Sequence, residues 1–340
     1  MEIDIFWLVA AFGGGAFGAA IGGQTAFIFT GLTYLFGLGV YMSGVNAGPF
    51  MDSVVFGPVF GPHIAFAGGA TAAAYAAWKG AMREGANGRD IVSPLAGLGR
   101  SDVLAVGGIT GMLGYVINLA VAYVLPTFKA DPALHYGNEV IGATDTVALT
   151  IIILAIATRY LFGKTGMFAK PHGLGLLEVG EGKHWVVHQE KWSNTAMHGL
   201  TTGLLSAFGT LAVVQAFFDI SGGTVVNHAQ LIGWAISAVS LVFLTCGLPT
   251  PVTHHMTILA SIAALKFMPV VAGTSDPLAW TSGQMALVCI IGGIVGALGG
   301  LLGELLARTT CANGDTHIDP PAFAIWTGTT ALYAVLALVA

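Results

Sequence analysis

Apolar residues fall along this chain in long blocks rather than in short amphipathic stripes. Ten blocks stand out, at 4–22, 24–43, 61–79, 102–125, 142–162, 196–218, 229–247, 252–270, 282–307 and 320–340. A helix needs about 20 mostly apolar residues to cross the hydrocarbon core of a bilayer, and each block offers a stretch of that order. Polar stretches separate them. The two longest, 80–101 and 163–195, leave no room for a soluble domain. The pattern predicts an all-α polytopic membrane protein with about ten transmembrane helices.

Composition supports that class. Of 340 residues 55% are hydrophobic and only 9% are charged. Soluble domains carry roughly 25% charged residues, so this chain cannot cover a surface facing water. Its first partner is the lipid bilayer. The net charge of −5 provides no basic stripe, which excludes nucleic acid as a partner. The start, Met-Glu-Ile-Asp, lacks the positive region of a signal peptide, so the first block is expected to remain as a span. Cys246, Cys289 and Cys311 stand far apart and form neither a disulfide framework nor a thiolate metal motif. No cofactor fingerprint is present: the chain has no P-loop and no dinucleotide-binding glycine pattern.

Charge placement orients the chain. With strict alternation of the spans, ten of the twelve Lys and Arg, among them Lys79, Arg159, Lys170 and Arg308, fall on one side. Only Lys129 and Lys266 fall on the other. Positive charge gathers in the cytoplasm. Loops 80–101 and 163–195 are therefore expected there, with both termini extracytoplasmic, in the cell's inner or plasma membrane.

An internal duplication changes the picture further. Gly107–Gly114 reads GGITGMLG, and Gly292–Gly299 reads GGIVGALG. In the block before each, a proline precedes a histidine by five residues: Pro58 and His63, Pro249 and His254. These matches divide the chain into a first five-helix repeat at 1–162, a linker at 163–195 and a second repeat at 196–340. Five is odd, so the two repeats must have opposite topology in the membrane. The reading is a 5+5 inverted repeat with two interrupted elements, re-entrant or broken helices. One contains Gly57, Pro58, Gly61 and Pro62, and the other Pro249 and Pro251. Paired interruptions of this kind mark a binding site near the midplane of transporters. The layout resembles that of urea and ammonium channels and of several secondary transporters, a resemblance of architecture that carries no residue motif.

Polar residues inside apolar blocks are costly and commonly line a pathway. The candidates are Asp52, Ser53, Phe60 and His63 around the first interruption, Thr250, Thr253, His254 and His255 around the second, and Asp145. Each has a plainer reading. The histidines could lie at the interfaces, Asp52 in an outer loop, and Asp145 as a helix cap between Thr144 and Thr146. Adjacent residues on a helix point about 100° apart, so one of His254 and His255 at most faces a shared pathway. Glu304 and Arg308 have the spacing of an intrahelical ion pair. Weak metal candidates are His184 and His188 in the linker, and Asp315 and His317 in NGDTHIDPP. Glycines repeat every fourth position at Gly14, Gly18 and Gly22 and at Gly292, Gly296 and Gly300, faces suited to close packing within the chain or to a homo-oligomer.

The expected function is a channel or secondary transporter for a small neutral polar solute or small cation, with no catalysis. Two alternatives stay open: a membrane-embedded metal-dependent enzyme, and a structural or accessory membrane subunit.

Overall fold

Helices form where the apolar blocks stand. The computed structural model describes residues 2–138, 140–169 and 173–339; Lys170 and Ala340 lie outside the described residues. The first half contains α1 (Ile5–Ile21), α2 (Gly23–Met42), α3 (Ala67–Trp78), α4 (Ser101–Val124) and α5 (Thr146–Phe162). The second contains α6 (Trp192–Phe217), α7 (Ile232–Thr245), α8 (His254–Ala272), α9 (Ser282–Leu306) and α10 (Pro320–Val339). Among the described residues, seven helical stretches are long and apolar enough to cross a membrane, and α1 and α5 are shorter apolar helices. Large apolar side chains such as Phe6, Phe36, Leu205, Phe208, Ile290 and Leu298 are exposed on their outer faces. Lipid is the surrounding that suits such a surface. One element departs from the all-helical expectation. The stretch between α4 and α5 holds a small antiparallel hairpin, β1 (Thr127–Lys129) with β2 (Val140–Gly142).

Both interruptions are real breaks in helical backbone. A short helical turn at Gly48–Phe50 runs into a π-helical turn at Met51–Val55, and a second π-turn at Pro62–Phe66 leads into α3. Between them stands Gly57, where an added Cβ would lie 1.8 Å from the Asp52 carbonyl oxygen. No larger residue fits there. The second break is the non-helical stretch 246–253, which contains Pro249 and Pro251 and ends where α8 begins at His254.

Glycine sets the tightest packing. An added Cβ on Gly15 of α1 would meet the Gly107 carbonyl oxygen of α4 at 2.3 Å, and one on Gly199 of α6 would meet that of Gly296 in α9 at 2.2 Å. Gly14, Gly18, Gly292 and Gly300 likewise abut atoms of the same chain. The glycine faces that would have suited a homo-oligomer are thus used inside the chain, where they bring two backbones into contact.

The two halves meet through α2 with α7 and α5 with α10. Both pairs are antiparallel. Gln24 at the start of α2 reaches Thr245 at the end of α7, whereas Tyr34, further along α2, donates to the carbonyl of His228 just before α7. Thr144, before α5, bonds Thr330 in α10 at 2.6 Å, while Arg159 near the other end of α5 bonds Thr316 ahead of α10. Residues 80–100, 173–191 and 307–319 gather on one face. There Arg89 donates to the carbonyls of Lys183 and Ala312, and Asn313 donates to that of Glu178 at 2.9 Å. Arg308 pairs with Glu304 at 2.7 Å, as the spacing predicts, and also donates to the Glu190 carbonyl.

Candidate functional site

A cavity of about 660 Å³ lies where the halves meet. Its wall takes Gln24 and Phe27 from α2, Pro62 and Phe66 from the first break, Val147, Ala148 and Ile151 from α5 with its cap Asp145, Trp234 and Leu241 from α7, Val252 from the second break and His254 from the start of α8. Leu231 and Leu244, thirteen residues apart along α7, both line it. At about 1.5 Å per residue the cavity therefore runs roughly 20 Å along that helix. Exposed Gly85 and Asn87 also border it, so it reaches water on the loop face.

Part of the wall is aromatic. The Phe27 and Trp234 rings meet edge to face at 5.3 Å, Phe56 lies 5.9 Å from Trp234, and Phe66 lies 6.1 Å from Phe27. His254 stands among them with its ring 4.8 Å from Phe27. As the first residue of α8 it is buried, and its Nδ1 has no hydrogen-bond partner among the described residues. An unpaired buried nitrogen costs about 1–3 kcal/mol, so this one is held at the wall by packing rather than by a bond.

Beside His254 is a polar cluster. Asp319 caps α10, its Oδ2 accepting from the Ala322 N–H at 2.7 Å, while its Oδ1 lies 3.0 Å from His317 Nε2. His317 Nδ1 lies 3.8 Å from the Cys311 sulfur. All three side chains are buried and line the cavity. Burial opposes charge on His317, but the Cys311 sulfur and the Asp319 carboxylate outweigh it and push the histidine pKa up to about 10. The loop carrying the cluster is pinned by Arg159, whose buried guanidinium donates to the carbonyls of Thr310 (3.0 Å), Thr316 (2.7 Å) and Gly166 (2.9 Å). Gly314 is required there, since a Cβ would stand 2.3 Å from the Arg159 guanidinium.

The residues singled out from the sequence divide into two groups. His254 and Asp145 line the cavity, and Asp145 also caps α5 by accepting from the Ala148 N–H at 2.8 Å. His63 and His255 are buried nearby but off the wall. The His63 carbonyl abuts Gly114, the fourteenth of the 24 residues of α4, which puts His63 at mid-helix depth. The His255 ring packs against Gly303 and Trp185. Thr253 bonds Ser237 at 2.6 Å, and the Thr250 carbonyl is held by His188 at 2.9 Å. Asp52 is exposed, Ser53 half-buried, and Phe60 stacks on Phe29 away from the cavity. The metal candidates do not converge. His184 pairs with Glu190 at 2.7 Å, Asp315 accepts from Thr165 at 2.8 Å, and His317 turns to Asp319. Among the described residues no group of three or more His, Cys, Asp or Glu is placed to hold a metal ion.

A family of unknown function, DUF7973, matches over residues 1–180 and over residues 181–340. The chain belongs to that family. No curated protein and no solved structure matches it.

Among the wall residues not picked out from the sequence are Gln24, Cys311 and Asp319 as a partner of Cys311. Gln24 did leave a signal, a lone amide near the start of an apolar block, where polar side chains commonly join helices. Cys311 left none, because its environment exists only once Arg159 has folded the following loop back.

Proposed function

We propose that the protein is a membrane channel or secondary transporter for a small neutral polar solute or small cation, with its pathway between two inverted repeats. The observation that carries this reading is the cavity, since both helix breaks and both pairs of inter-half helices contribute to its wall. Helix packing supports the repeat. The contacts of α1 with α3 and α4, and of α3 and α4 with α5, recur as those of α6 with α8 and α9, and of α8 and α9 with α10. The helices that join the halves, α2 with α7 and α5 with α10, are counterparts of one another and run antiparallel, as an inverted duplication requires. One family model matching on either side of residue 180 is consistent with the same division at 1–162, 163–195 and 196–340.

Counting ten spans, with α3 and its π-turn as the third, sets the loop face in the cytoplasm and both termini outside by the distribution of Lys and Arg. The cavity would then face the cytoplasm in this conformation. Its wall combines aromatic rings with His254, Asp145, Gln24 and the paired His317 and Asp319, groups suited to a polar solute or a small cation. Reconstituted full-length protein tests the proposal: flux of such solutes above that of empty liposomes supports it, and flux unchanged by His254→Ala removes His254 from the pathway.

A further inference from the structure

We propose that Cys311, with His317 and Asp319, forms a nucleophilic thiol site on the cavity wall whose co-reactant is a small disulfide. This inference is independent of whether a solute crosses the membrane through the same cavity.

The three side chains stand in the order that activates a nucleophile: sulfur, imidazole, carboxylate. Asp319 Oδ1 at 3.0 Å takes the Nε2–H of His317 and fixes the ring, leaving Nδ1 to face the Cys311 sulfur at 3.8 Å. Asp319 is itself held by the α10 N–H of Ala322, so the orienting carboxylate cannot swing away. Charged groups near the sulfur come from other elements too: Arg89 from the loop at 80–101 and Arg159 from α5 face it, while the imidazole of His254 in α8 stands toward Asp319. Each cation there favours sulfur in its anionic form, the form that reacts.

A second observation points to a ligand at this place. His254 lines the same cavity, and its buried Nδ1 has no partner among the described residues. A molecule lying against Cys311 would meet this ring as a polar part of the wall. The cavity volume of about 660 Å³ falls within the roughly 300–1,000 Å³ range of small-molecule sites. Its Phe66 ring, 6.2 Å from the His317 ring, offers the kind of aromatic surface on which divalent sulfur packs well.

The step balances without any further oxidant. His317 Nδ1 already holds the Cys311 proton, and the thiolate attacks one sulfur of the disulfide. A new S–S bond joins Cys311 to that half of the molecule as the old S–S bond breaks. The departing sulfur leaves as a thiolate and receives the proton from His317. One disulfide replaces another, with no net change in electrons.

The test uses full-length protein in detergent with Cys246→Ser and Cys289→Ser, so that Cys311 is its single thiol. The probe is 2,2′-dithiodipyridine, followed by thiopyridone release and by the mass of the adduct. The expected result is complete reaction at a rate nearly level from about pH 6 to about pH 9, in contrast to an ordinary thiol, which speeds up through its pKa of about 8.5. His317→Gln is expected to slow the reaction about tenfold near pH 7 and to restore that ordinary rise. Failure of Cys311 to react overturns the proposal. So does a parent profile rising with a midpoint near 8.5, a result that needs no variant and stands even if His317→Gln does not fold. An unchanged rate and profile in folded His317→Gln overturns it as well.

Discussion

Gln24 Nε2 donates to the Thr245 hydroxyl at 2.7 Å, joining the first turn of α2 to the last residue of α7 across the two halves of the chain. Thr245 also keeps a bond to the Leu241 carbonyl within its own helix. Replacing Gln24 with Leu therefore removes one good inter-half bond, and a long one of 3.4 Å to the Leu241 carbonyl, without stranding either acceptor. The expected cost is about 1 kcal/mol, the net worth of one such bond, read as a small drop in melting temperature in detergent. A drop typical of a large core deletion would mean that Gln24 does more than join the helices.

The glycine contacts predict a sharper loss. Gly199→Leu would drive a side chain into the Gly296 backbone, where even a Cβ stands at 2.2 Å, and no rotamer avoids that clash. Helices α6 and α9 would have to separate, so little monodisperse protein should survive purification. Gly39, on the exposed side of α2, is the control: nothing lies within 4 Å of its added Cβ. Gly39→Ala should be neutral or stabilising by up to about 1 kcal/mol, from helix propensity alone.

Arg159 is the most deeply buried cation that organises the site, and it serves carbonyls rather than a substrate. Arg159→Met keeps much of its volume but leaves the Thr310, Thr316 and Gly166 carbonyls without that donor. Destabilisation of about 3 kcal/mol is expected. Proteolysis or hydrogen exchange should locate the new mobility at residues 310–319. Protection unchanged in that loop would refute the pinning role.

Stability should also depend on pH through His317. Its pKa is raised in the folded protein to about 10 from an ordinary value of about 6.5. The protonated form is thus favoured by folding. Its contribution is complete below about pH 6.5 and fades as pH rises towards 10. Melting temperatures measured across that window should fall in the parent and fall less in His317→Gln. Parallel curves for the two proteins would contradict the assignment.

Local features were legible in the sequence. Apolar block length gave the helices, an aspartate between two threonines near the start of a block gave the Asp145 cap, and spacing gave the Glu304–Arg308 pair. Each depends on neighbours a few residues away. The cavity wall depends on distant ones. Cys311 and His317 are six residues apart, and nothing in that spacing says they face each other until Arg159, from a helix about 150 residues earlier, draws the loop inward. His254 and His255 show the same limit at close range. Helical geometry says that their side chains diverge, but only the packing of His255 under Gly303 assigns the cavity to His254.

If solutes move through the cavity between the halves, filling that cavity must stop them. Ala322, buried on its wall at the start of α10, allows the most direct measurement. Parent and Ala322→Trp proteins, matched for melting temperature and reconstituted at equal density, would be compared by light scattering for neutral solutes and by ion flux for small cations. The expected result is flux above empty liposomes for at least one of these classes in the parent, and a fall to background when Trp fills the cavity. No flux of either class in the parent, or full flux in folded Ala322→Trp, would contradict it.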